Sequence, residues 1–235
     1  MTSIDLLAFG PHADDIEIGL GGSIARHAAE GHTVGLCDLT EAELSSNGTR
    51  EQRREEAAAA ARVLGALWRE NLGWPDGGIA TTPSTIRSAV DIIRRHRPRS
   101  IAIPYWDDRH PDHVAASDVL RRAAFTSGLR RYVTDDDPWR PDWVVYYFIN
   151  DGAVPSFVVD VSACYQRKRD ALACYRSQFA PTGDESVSTR LTASTFNQLI
   201  ESRDAQFGAL AGVAFAEGLV VREPLVRPGV LKHLP

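Results

Sequence analysis

The sequence is poor in cysteine, has no excess of positive charge and contains no long apolar run, and each shortage removes a class of protein. Its three cysteines, Cys37, Cys164 and Cys174, form no Cys-x-x-Cys pair and leave one over. That argues against a disulfide framework and fits core thiols in a reducing compartment. A net charge of −5 offers no cationic field to phosphates, so neither nucleic acid nor an anionic membrane is an expected partner, and small molecules are. No stretch approaches the roughly 18 apolar residues of a membrane span. The opening "SIDLLAFG" reads as a strand, without a basic n-region and cleavage site, so the expected location is the cytoplasm. Nucleophilic hydrolysis lacks its signatures too: there is no Gly-x-Ser-x-Gly, and no cysteine adjoins a histidine motif.

What is present is an ordinary apolar share, 43% of 235 residues, enough for a sizeable core. Strand and helix patterns alternate. Strands are expected at 4–9, 32–38, 66–72, 100–104, 143–149 and 156–161. Helices are expected at 21–30, 50–65, 84–96, 113–125, 163–176 and 191–212, with an irregular loop over 126–142. The pattern implies a Rossmann-like, three-layer α/β/α fold with a mostly parallel sheet. With no repeat or clear linker, residues 1–235 read as a single domain.

Two histidine- and aspartate-rich stretches stand just past strands. "LLAFGPHADDIEIGLGG" places His12, Asp14 and Asp15 after the first, and "DDRHPDH" places His110, Asp112 and His113 after "SIAIP". In open α/β sheets ligands bind beyond the carboxyl ends of the strands, where strand order reverses, so both stretches are expected at one edge. Adjacent aspartates repel unless a cation is near. His12, Asp15 and His113 form a set suited to a borderline metal with open positions. Asp14, adjacent to a ligand, is free to take a proton from water, and a protonated His110 would face a developing oxyanion, its ring held by Asp112. Asp112 could also cap the following helix. Asp107 and Asp108 read as loop residues. Gly19, Gly21 and Gly22 lack the Gly-x-Gly-x-x-Gly spacing of a phosphate cradle and read as close-packing positions.

"PHADDIEIG" with "HPDH" resembles the LmbE/PIG-L family of metal-dependent deacetylases, which remove acetyl groups from N-acetylglucosamine-type sugars; Ala13 stands where the family motif has proline. The resemblance implies zinc, or another divalent metal such as Fe2+, held by His12, Asp15 and His113, with Asp14 as general base and His110 stabilising charge on the carbonyl. "NGTREQRREEA", "YRSQF" and "AEGL" look most like the branch acting on N-acetylglucosaminyl malate in bacillithiol biosynthesis. It also implies a trimer or hexamer, and Ser177 and Gln178 as sugar contacts. In "NGTREQRREEA", Thr49 and Gln52 mark a capping box, while Arg50, Arg53 and Arg54 crowd a helix end that prefers acids. Arg53 is the expected partner of a substrate carboxylate, against a salt-bridged solvent face. Asp135 to Asp137 with Trp139 and Trp143 read as a solvated loop, a lid or a subunit contact. The alternatives are another N-acetyl sugar, such as a chitooligosaccharide, and a noncatalytic sugar- or nucleotide-binding protein.

Overall fold

The computed structural model describes residues 3–182 and 186–226. The ends of the span read as one domain, 1–2 and 227–235, lie outside the described residues. The chain runs β1 (Leu6–Gly10), α1 (Asp15–Ala29), β2 (Val34–Thr40), α2 (Arg50–Leu64), β3 (Trp68–Trp74), α3 (Pro83–His96), β4 (Ser100–Pro104) and α4 (Pro111–Thr126). It continues with β5 (Trp143–Tyr147), β6 (Phe157–Asp160), α5 (Tyr165–Leu172), α6 (Arg176–Phe179), α7 (Ser194–Ala211) and β7 (Ala216–Val220). The strands form one sheet in the order β3-β2-β1-β4-β5-β7-β6, parallel through β5, with β7 antiparallel to both its neighbours. Order reverses between β1 and β4, so the loops leaving these two strands flank the switch point.

The period of two along each strand divides the core between the two faces. Ala8, Leu36, Ala102 and Tyr147 pack on one side with α1, α2 and α5. Leu7, Phe9, Cys37, Ile101 and Ile103 pack on the other with α3 and α4. Cys37 is fully buried and all three cysteines are free. No helix among the described residues is long and apolar enough to cross a membrane.

Three elements differ from the expectation. First, α1 starts at Asp15 rather than at 21, because its glycines are what let it lie on the sheet. A Cβ at Gly19 would come within 2.2 Å of the Tyr147 ring, and one at Gly22 within 2.7 Å of Val161. Tertiary packing thus outweighs poor helix propensity, and the close-packing reading of these glycines holds. Second, the helix expected at 163–176 breaks after Leu172 and resumes as α6. Third, β7 is an unexpected strand, AEGLV, buried throughout although it carries Glu217.

Glu217 is tolerated there because a polar network encloses it. Its two carboxylate oxygens accept the Gly22 and Ser23 backbone N–H groups at 2.8 and 2.7 Å, and Lys168 Nζ lies 2.7 Å from Oε1. Lys168 also pairs with Asp204 at 2.6 Å, with neither side chain meaningfully exposed. Arg203 completes the clamp, donating to the carbonyls of Ile18 and Ile149 at 2.8 and 2.9 Å. Removing one member of a buried ionic set strands the rest. Glu217→Ala is therefore expected to cost about 3–5 kcal/mol of unfolding free energy, read as a lowered midpoint in chemical denaturation.

The 126–142 loop is irregular, as expected, but it does not overhang the strand ends that bear the motifs. The buried Arg94 of α3 donates to the carbonyls of Ser127, Leu129 and Tyr132 at 2.8–2.9 Å. The loop rejoins the sheet through Asp142 N–H on Arg99 O at 2.8 Å, at the amino end of β4. That is the opposite edge, which removes the lid reading.

Candidate active site

Beyond the carboxyl ends of β1 and β4 lies a cavity of about 530 Å³ with His12, Asp14, Asp15, His110 and His113 in its wall. This size falls within the ordinary range for small-molecule sites. Within that wall Asp15 is the hub. Its Oδ2 lies 3.1 Å from His12 Nδ1 and 3.3 Å from His113 Nε2, so two imidazoles and a carboxylate converge on one point.

The far nitrogen of each ring faces another carboxylate. His113 Nδ1 is 3.0 Å from Asp108, while His12 Nε2 is 3.1 Å from Asp76 and 3.4 Å from Asp112. Such outer carboxylates fix ring orientation and raise basicity in metal sites. Burial disfavours charge on all three central groups, yet their mutual attraction wins. His113 is raised to about 9, chiefly by Asp15 and Asp108 against burial. His12 is likewise raised, by Asp112, Asp15 and Asp76. Asp15 is held well below the usual carboxylate range by His113 and His12. A donor set of two imidazoles and one carboxylate, ringed by further acids, fits a dication of the zinc type.

Asp14 differs from its neighbour. It occupies the N-cap position of α1 at φ 111°, ψ −27°, a left-handed conformation, yet its side chain makes no capping bond. For a residue with a Cβ such a backbone costs on the order of 1–3 kcal/mol. The carboxylate instead meets Arg53 Nη2 at 3.1 Å, and the same nitrogen donates to the carbonyl of Ala13. Burial pushes Asp14 up to about 7 against the pull of Arg53, which is where a general base is most effective.

Several site expectations change. Arg53 is 3% exposed; its Nη2 is committed to Asp14 and Ala13 and holds the aspartate, while Nε and Nη1 are buried without a partner and the side chain also lines the cavity. Asp112 neither caps the helix, whose N-cap is His110, nor holds the His110 ring with its carboxylate. That carboxylate accepts the N–H groups of Gly77 and Ile79 at 2.7 and 3.3 Å and faces His12. His110 Nδ1 accepts the Asp112 backbone N–H at 3.2 Å. Burial, with His113 and His12, lowers His110, a shift that works against the expected protonated ring, and with Nδ1 accepting from Asp112 N–H the ring hydrogen sits on Nε2. Of the two residues expected as sugar contacts, Gln178 lines the cavity, but the Ser177 hydroxyl donates to Glu56 at 2.6 Å.

Asp108, read from the sequence as a loop residue, is the partner of His113 and also accepts from the His110 and Asn150 backbone N–H groups at 2.8 and 3.1 Å. Asp76, in the turn after β3, and Asn150, just past β5, belong to no motif that the sequence displays. Their shared signal is position: both follow strands at the same edge of the sheet. Asp108→Asn is expected to weaken metal binding about 10- to 100-fold, as measured by competition with a chelating dye.

The family model described as PIG-L, GlcNAc-PI de-N-acetylase, matches residues 7–124, the span that contains both motifs. The chain belongs to the PIG-L family. As a member it is a hydrolytic N-deacetylase of a metal-dependent kind. Over 97% of its length it is 26% identical to the diacetylchitobiose deacetylase of Thermococcus kodakarensis, covering 85% of that protein. It is 30% identical, over 65% of its length and 66% of the relative's, to the 1D-myo-inositol 2-acetamido-2-deoxy-alpha-D-glucopyranoside deacetylase 2 of Saccharopolyspora erythraea. The crystal structure of a conserved protein of Thermus thermophilus superposes with a TM-score of 0.89 at 36% identity, covering 98% of this chain and all of that one.

Proposed function

We propose that this PIG-L member hydrolyses the acetamide of an N-acetylglucosamine conjugate, using zinc held by His12, Asp15 and His113, and that N-acetylglucosaminyl malate is its substrate. The observation that carries the catalytic reading is Asp14: strained, buried, released from capping and raised to about 7 beside the metal set. A structural aspartate at an N-cap would bond its own helix.

A divalent metal bound there supplies Lewis-acid polarisation of the amide carbonyl and makes water more acidic. Asp14 takes the proton of the attacking water and passes it to the nitrogen of the leaving amine. Arg53 holds that carboxylate in place and restrains its rise in basicity. Nε2–H of His110 donates to the carbonyl oxygen as negative charge gathers on it. Asp108, Asp76 and Asp112 keep the two imidazoles oriented.

The substrate reading draws on the sugars named for the relatives and on the cavity, whose wall carries Arg109 and Arg190. Arg53 lines the same wall but spends its Nη2 on Asp14, so we assign Arg109 and Arg190 to a carboxylated aglycone. The test is acetate release from N-acetylglucosaminyl malate, diacetylchitobiose and free N-acetylglucosamine, each with the zinc-loaded protein. Highest kcat/KM on the malate conjugate supports the proposal, and preference for diacetylchitobiose replaces it with a chitooligosaccharide substrate. Because Arg53 contacts Asp14, Arg53→Ala should lower kcat on charged and neutral sugars alike, by about one to two decades. A loss confined to the malate conjugate would return Arg53 to substrate binding.

A further inference from the structure

At the other end of α1 a second group of potential ligands gathers, outside the deacetylase site. The helix closes on a Schellman turn: Gly31, at φ +87°, donates to Ala28 O at 3.1 Å, and His32 N–H reaches back to His27 O at 3.0 Å. This turn brings the side chain three residues before the cap against the one two residues after it, a contact that is ordinarily apolar. Here the pair is His27 and His32, with ring centroids 5.6 Å apart, and Glu30 sits at the cap between them. One ring nitrogen of each histidine and a carboxylate oxygen of Glu30 lie within 4.8 Å of one another.

The geometry points to a second site for a divalent transition-metal ion, with His27, Glu30 and His32 as ligands in a His-x-x-Glu-x-His motif. Two imidazoles and one carboxylate match the donor preference of zinc. Its ligand atoms, at bonds of 2.0–2.1 Å, stand about 3.3 Å apart in a tetrahedron, so rotations of half-exposed side chains close the set. Arg26 engages Glu30 through Oε1 at 2.9 Å and leaves Oε2 on the His27 side, 3.8 Å from Nδ1. Asp5 adds negative charge 3.8 Å from His32. The position itself favours a cation, because the negative end of the helix dipole lies there. Beside the group opens a largely apolar cavity of about 510 Å³ with both histidines in its wall. The site is independent of the deacetylase chemistry: α1 would carry a metal near each end, about 20 Å apart for its 15 residues.

Apoprotein titrated with Zn2+ near neutral pH, followed by calorimetry and by elemental analysis after desalting, tests the assignment. The full chain should take up two ions, the second more weakly. His32→Ala and His27→Ala should each stop at one while keeping deacetylase activity, and His113→Ala should lose the tight ion and keep the weaker one. Uptake that ends at one equivalent in the unaltered protein, or two equivalents retained by both surface variants, overturns it.

Discussion

Asp14→Asn should retain its metal and lose about 10²- to 10⁴-fold in kcat, the range over which a positioned general base acts. Asparagine keeps the shape and can still face Arg53, 3.1 Å from the native carboxylate, but it cannot accept a proton. The carboxylate is not one of the three groups that converge, so metal content measured on the purified variant should match that of the unaltered protein. Full metal with unchanged turnover would remove Asp14 from the reaction and leave its left-handed backbone without a functional account.

His113→Ala should have the opposite profile, with metal and activity lost together. His113 lies 2% exposed between Asp15 and Asp108, so its removal deletes a ligand and strands two buried carboxylates at once. Loss of an outer partner costs about 10- to 100-fold in affinity, and loss of the ligand itself should exceed that. Elemental analysis at limiting zinc is the readout. Full occupancy in this variant would show that the ion is held by other groups, of which His12, His110 and Asp112 form the nearest alternative set.

Much of this arrangement is legible in the sequence because its determinants are local. Alternating strands and helices, with "PHADD" and "HPDH" each following a strand, are enough to place His12, Asp15 and His113 at one edge. The structure adds the reason, since β1 and β4 are neighbours at the point where strand order reverses. What escapes is non-local. β7 is invisible because Glu217 and Gly218 interrupt its apolar pattern, and its burial depends on Lys168, which is remote in sequence. Arg53 looks like a free cation in a crowded helix end, and only the fold reveals that it points at Asp14. Asp76 and Asp108 carry no signature beyond lying past strand ends, and their pairing with imidazoles is a product of tertiary contact.

The central claim is that this cavity performs metal-dependent removal of an acetyl group from an amino sugar. The most direct measurement is acetate and free amine released together from N-acetylglucosaminyl malate, by protein stripped of metal and by the same protein after zinc is restored. Near-zero release from the stripped protein, with stoichiometric acetate and amine on adding zinc, is the expected result. Release that is equal with and without metal would contradict the account, as would zinc-dependent binding of acetylated sugars with no acetate formed.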